Sequence, residues 1–155
     1  MTKEVKYLKT IIGTLNITVE DNELISIKYC KNINQQEKNI SNSKTMNRVI
    51  SQLKEYFNKE RKIFNIPLKL KGTQFQKDIY KVLSRVEYGK TISYKELAQK
   101  SGYKNAQRAV GTALKKNKIA LIIPCHRVIK ANGKIGNYNG GKGRKEKLLR
   151  MEDKY

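Results

Sequence analysis

Cysteine, histidine, proline and acidic residues are all scarce in this chain, and each scarcity removes a class of protein. Two cysteines and a single histidine occur in 155 residues, and Cys30 stands far from the adjacent pair Cys125-His126. That spacing offers neither a disulfide framework nor a four-ligand zinc site, so no metal and no cofactor are expected. Long apolar runs are missing too. The longest, Ile119 to Ile123, is far too short to cross or anchor in a bilayer and reads as a buried strand. The opening Met1-Thr2-Lys3-Glu4-Val5-Lys6 has no apolar stretch of the secretory kind, which points to the cytoplasm, where thiols stay reduced. Thirteen acidic residues face 34 lysines and arginines, a formal charge of +21. A field of that size attracts polyanions, nucleic acid ahead of an anionic membrane surface.

What is present organises into two lobes, with a boundary expected near residue 71. In the first, Val5 to Ile12 precedes Leu15, Ile17 and Val19, which alternate with Thr14, Asn16, Thr18 and Glu20, the period of a strand. Asp21-Asn22 supplies a turn, and Ile25, Ile27 and Tyr29 alternate with Ser26, Lys28 and Cys30. Three antiparallel strands follow from this pattern. After the polar stretch 32–42, Met46, Val49, Ile50, Leu53 and Phe57 recur at helical spacing and predict a helix laid on that sheet. An extended segment from Ile63 to Leu70, containing Pro67 and ending at Gly72, reads as the linker into the second lobe.

From Thr73 the pattern is mainly helical. Phe75, Ile79, Val82 and Leu83 mark one helix, Tyr94, Leu97 and Ala98 a second, and Ala106, Ala109, Val110, Ala113 and Leu114 a third. The turn Ser101-Gly102-Tyr103-Lys104 makes Ser93 to Leu114 a helix-turn-helix, although ordinary helical pairs share this spacing. Beyond the apolar run come Pro124-Cys125-His126-Arg127-Val128, a loop rich in Gly and Asn from Asn132 to Gly143, and a last helix from about Arg144 to Met151. The fold class is therefore α+β: a small three-stranded sheet with one helix, then a helical domain over residues 72–155.

The segment Ile122-Ile123-Pro124-Cys125-His126-Arg127-Val128-Ile129 resembles the acceptor-cysteine signature of the O6-alkylguanine-DNA alkyltransferases. Gly72-Thr73-Gln74-Phe75-Gln76, Thr91-Ile92-Ser93-Tyr94, Arg108-Ala109-Val110-Gly111, Asn117, Gly136 to Gly141 and Leu148-Leu149 to Glu152 follow in that family's order. The first lobe matches only in plan, and the resemblance implies a ribonuclease H-like arrangement for it. It also implies a DNA-repair protein that acts as a monomer on double-stranded DNA containing O6-alkylguanine, moving the alkyl group irreversibly onto Cys125. Activity on O4-alkylthymine is left open.

Residue by residue, the resemblance implies that His126 deprotonates the Cys125 thiol through a water and that Glu152 holds the imidazole. Asn117 would support the active-site turn, and Tyr94 would donate a proton to the leaving guanine. Arg108 would fill the gap left by a flipped base, a step needed because the O6 carbon is hidden from a side chain in duplex DNA. Ala106, Ala109, Gly111, Thr112 and Arg127 would join Tyr94 at the DNA, with Ala106, Ala109 and Val110 packed near the active-site turn. Val128, Gly136, Tyr138, Asn139 and Lys145 would line the base pocket, the Val128 carbonyl and the Asn139 amide reading guanine edges. The sequence departs from the family pattern at Asn139, where serine is common, at Lys118, where proline is usual, and at Tyr80, where tryptophan is frequent. On residue type alone Cys125 also reads as a buried small side chain, the commonest role of a cytosolic cysteine, Tyr94 as a core aromatic, and Arg108, Glu152 and Lys145 as solvated charges. A reader of alkylated bases that performs no transfer would replace the cysteine. A cysteine hydrolase would leave the +21 charge unexplained.

Overall fold

The computed structural model describes residues 3–31 and 43–152; the polar stretch 32–42 lies outside them. The chain divides into two units after Leu70.

The first unit is a meander of β1 (Lys3–Thr10), β2 (Gly13–Glu20) and β3 (Glu23–Cys30), all antiparallel in the order β1-β2-β3. Asp21 and Asn22 both take positive φ, 50° and 63°, as a two-residue hairpin turn requires and as Asp and Asn tolerate. Simple alternation predicts Ile25 on the buried face. The pairing instead shifts between Thr18 and Val19, so that Thr18 faces Ser26 and Val19 faces Leu24. Ile25 becomes the extra residue of a bulge, Leu24 takes the core position at 0% exposure, and the side-chain alternation resumes out of phase. Helix α1 (Lys44–Phe57) starts at Ser43, whose hydroxyl accepts from the Met46 amide at 3.1 Å. It buries Met46, Val49, Leu53 and Tyr56; Tyr56, rather than Phe57, completes the stripe. Each fully buried aliphatic side chain contributes about 1.5–3 kcal/mol.

The second unit begins with α2 (Gln74–Leu83), capped reciprocally by Thr73 and Gln76. The helix-turn-helix is real: α3 (Tyr94–Lys100) and α4 (Gln107–Lys115) join through residues 101–106. Helix α2 sets their attitude by two contacts. The Tyr80 hydroxyl donates to the Ala113 carbonyl at 2.6 Å, and the Tyr103 hydroxyl donates to Asp78 at 2.6 Å while its ring packs edge-on against Phe75. Two short strands, β4 (Ile92–Ser93) and β5 (Val128–Ile129), pair in parallel and bring the start of α3 beside the chain that follows Cys125. Helix α5 (Lys142–Met151) ends the unit.

The run Ile119 to Ile123 is not a strand. Ile122 donates to the Ala120 carbonyl at 2.8 Å and Ile123 to that of Ile119 at 3.1 Å, while Leu121 adopts φ 72°. These are consecutive tight turns whose apolar side chains point inward, Ile119, Leu121 and Ile123 each at 2% exposure or less. An apolar run states that a segment is buried, not that it is extended.

Candidate active site

Those turns deliver the chain to Pro124, after which Cys125–Arg127 closes a single 3₁₀ turn, with the Arg127 amide on the Pro124 carbonyl at 2.9 Å. The turn supplies the bend that neighbouring Cys125 and His126 need to act together, since adjacent residues of a strand face opposite ways. Asn117 braces it from the end of α4. Its Nδ2 donates to the Ile123 carbonyl at 3.0 Å and to Cys125 Sγ at 3.4 Å, and its Oδ1 accepts from the Ile119 amide at 3.0 Å. Lys118 is exposed and disturbs none of these bonds.

Burial pushes the Cys125 thiol up, against the lowering pull of the Asn117 hydrogen bond and the Lys145 charge. The resting sulfur is therefore a protonated thiol and needs a base. His126 is fully buried, and its Nε2 stands 2.8 Å from Glu152 Oε2. Burial lowers the imidazole below its ordinary value although Glu152 works to raise it. Burial would raise the Glu152 carboxyl as well, yet the hydrogen bonds and charges of His126 and Arg127 hold it far below the usual carboxylate range. A neutral imidazole facing an ionised carboxylate carries its proton on Nε2. Nδ1, which has no hydrogen-bond partner among the described residues, is left as the basic nitrogen.

Arg127 departs from expectation. It is 6% exposed, with Nε 2.8 Å from Glu152 Oε1, Nη2 3.0 Å from Oε2, and Nη1 2.8 Å from the Val86 carbonyl. An arginine so engaged is not part of a DNA-facing surface, and its presumed place there is corrected. Lys145 is buried as well, not solvated. Its ammonium donates to the Val128 carbonyl and, at 3.1 Å, to the Asn137 carbonyl, which joins α5 to the chain after the acceptor turn and to the glycine-rich loop.

Cys125 opens on a cleft of about 810 Å³ lined by Tyr94, Arg108, Gly111, Thr112, Tyr138 and Asn139, among others. Tyr94 begins α3, where burial raises its hydroxyl above the ordinary value and keeps it a proton donor. Gly136, at φ 80°, turns the loop directly against that hydroxyl: a Cβ there would lie 3.0 Å from Tyr94 Oη. Tyr138 sets its ring edge-on to the His126 imidazole at 6.5 Å. The Asn139 side chain reaches from the loop to the end of α4, donating to the Lys115 carbonyl at 2.8 Å and more weakly to that of Leu114 at 3.4 Å.

Along α4, Arg108, Ala109, Thr112 and Lys115 are exposed, and Ala106 and Gly111 are half-buried. Of Ala106, Ala109 and Val110, only Val110 packs inward, so Ala109 does not support the active-site turn. A Cβ on Gly111 would meet nothing within 4 Å, so internal packing does not demand its small size. The structure thus gathers Cys125, His126, Glu152, Asn117, Tyr94, Val128, Tyr138 and Lys145 around one point, with Arg108 at the rim. Sequence reasoning missed Val86, whose role is carried by its carbonyl and leaves no trace in residue type.

Comparison with known families settles the lineage. Residues 74–154 match the model described as the DNA binding domain of 6-O-methylguanine DNA methyltransferase, and residues 5–70 match its ribonuclease-like domain. The chain belongs to the 6-O-methylguanine DNA methyltransferase family. Within that family, the methylated-DNA-protein-cysteine methyltransferase of Mycolicibacterium paratuberculosis is 35% identical, over 98% of this chain and 93% of its own. That of Methanosarcina acetivorans is 43% identical over 73% of this chain and 72% of its own. The crystal structure of Mycobacterium tuberculosis O6-methylguanine methyltransferase superposes with a TM-score of 0.85 at 35% identity, covering 97% of this chain and 93% of that one. A second structure from that organism, solved in complex with DNA, gives a TM-score of 0.84 at 36% identity, with 96% and 92% covered. Among the described residues of this family member no helix is long and apolar enough to cross a membrane.

Proposed function

We propose that this protein repairs DNA by direct reversal, taking the alkyl group of O6-alkylguanine onto Cys125 in one irreversible turnover. The observation that carries the reading is a buried thiol opening on a cleft, backed by a neutral imidazole whose far nitrogen is held by an ionised carboxylate. His126 Nδ1 takes the thiol proton through a bridging water, and the sulfur attacks the alkyl carbon in line. The S–C bond forms as the C–O6 bond breaks, and the electron pair passes to the guanine. The Tyr94 hydroxyl relays a proton to the ring, so that the base departs as neutral guanine. A thioether has no acid-base route back, which makes the event stoichiometric.

The reading assigns residues 72–155 to DNA binding and alkyl transfer and residues 1–71 to a structural lobe, in a cytoplasmic monomer. The exposed face of α4, from Ala106 and Arg108 to Ala109, Gly111 and Thr112, meets the minor groove, where small residues allow close approach and Arg108 occupies the space of the extruded base. The loop from Gly136 through Tyr138 to Asn139 walls the base, with the Asn139 amide and the second lone pair of the Val128 carbonyl toward its edge. After mixing with duplex DNA carrying O6-methylguanine, the intact protein should gain one methylene per chain, localised to the Cys125 peptide. Repeated turnover, or modification on Cys30, refutes the reading.

A further inference from the structure

Arg127 invites a different role from the one its type suggests. Each of its three nitrogens donates inside the protein, two of them to opposite oxygens of Glu152 and the third to the Val86 carbonyl. Its guanidinium carbon lies 5.9 Å from the centroid of the Tyr88 ring, and the Tyr88 hydroxyl donates to the Met151 carbonyl at 3.2 Å. Three of its five N–H donors are spent inside the protein, and at 6% exposure the side chain does not present itself to a phosphate. A planar guanidinium gripping both oxygens of a carboxylate fixes its rotation as well as its charge, which a lysine cannot do.

We infer that Arg127 is a positioning residue for alkyl transfer: by gripping Glu152 from behind, it holds the carboxylate on His126 Nε2 and keeps Nδ1 unprotonated as the base that serves Cys125. The inference rests on the proposed transfer to Cys125. Its logic is a competition for one proton. A carboxylate alone beside an imidazole favours the imidazolium, in which both nitrogens carry hydrogen and no base remains. Arg127 opposes this twice, by repelling a second positive charge and by occupying the carboxylate. The other groups facing the pair are Lys145 from α5, which also disfavours the imidazolium, the Cys125 thiol, and the rings of Tyr138 and Tyr88. Without Arg127 both changes have the same sign: His126 gains its proton at higher pH, and the acid limb of the rate profile moves up with it.

His126 is the chain's sole histidine, so imidazole nitrogen NMR reads it without ambiguity. Wild type should show the neutral Nε2–H tautomer at neutral pH, because burial lowers the imidazole below its ordinary value, whereas Arg127→Met should titrate at least about one pH unit higher than wild type. Reaction with free O6-benzylguanine, which involves no DNA, should slow about tenfold on the acid side and recover at alkaline pH. Arg127→Lys, which keeps the charge and loses the fork, should shift in the same direction by less, and it provides the measurement if the methionine variant does not fold. A rate lowered equally at every pH, with the His126 titration unmoved in whichever variant folds, overturns the inference and leaves Arg127 a structural residue. Wild type that forms no thioether on Cys125 refutes instead the transfer on which the inference rests.

Discussion

Replacing Lys145 by methionine should remove a pH dependence of stability that this lysine alone supplies. Its ammonium is buried on two backbone carbonyls, and burial pushes it down from the ordinary 10.5 to about 8. In the unfolded chain it is an ordinary lysine. Between about pH 8 and 10.5 the unfolded chain therefore holds a proton that the folded chain has released, and stability rises with pH through that window. Integrating these two values from pH 7 to pH 9.5 gives a gain of about 2 kcal/mol. Methionine matches the lysine stem, stops one atom short of the ammonium and titrates nowhere. The comparison belongs in a Cys125→Ser background, because the thiol and the ammonium interact. Tyr80, raised to about 12, and Tyr94 are common to both proteins and cancel in the difference. Urea unfolding at the two pH values, analysed with a common m-value, gives the result directly. In that background the protein that keeps Lys145 should gain stability relative to the methionine variant by about 2 kcal/mol. Parallel curves would show that the buried ammonium is solvated or compensated, and the assignment of Lys145 as an internal brace would fall.

Arg108→Ala should slow repair of O6-methylguanine in duplex DNA far more than reaction with free O6-benzylguanine, because only the duplex needs a base extruded and its place filled; single-turnover rates on both substrates decide it, and equal losses contradict the role. Methylated Cys125 should melt below the unmodified protein. The added methyl weakens the 3.4 Å contact from Asn117 Nδ2 and crowds a site only 6% exposed, for a cost of about 1 to 3 kcal/mol; an unchanged or raised midpoint contradicts this.

The parts of the fold legible in the sequence were those written in periodicity. Alternating Leu15, Ile17 and Val19 gave a strand, and Met46, Val49 and Leu53 gave a helix, because one face of each is buried. Phase was less secure. One bulge at Thr18/Val19 exchanged Ile25 for Leu24 in the core, and no residue type announces a bulge. Ile119 to Ile123 shows the same limit, since burial without alternation suits a strand and a pair of turns alike. The acceptor turn was legible only through resemblance, because Pro124-Cys125-His126-Arg127 matches an unusual family signature that implies the bend. Arg127 and Lys145 were not, because charged residues lie outside unless partners meet them. Their partners are Glu152, the carbonyl of Val86 and the carbonyls of Val128 and Asn137. Three of these four are backbone atoms, which any residue would offer.

The tie between Asn139 and the end of α4 is made by a side chain on one side and by main-chain carbonyls on the other. At that point the loop is therefore fastened to α4 through one side chain, while the acceptor turn is braced separately by Asn117. A residue at 139 without that amide would release the loop from the helix while leaving in place the Asn117 bonds that brace the acceptor turn.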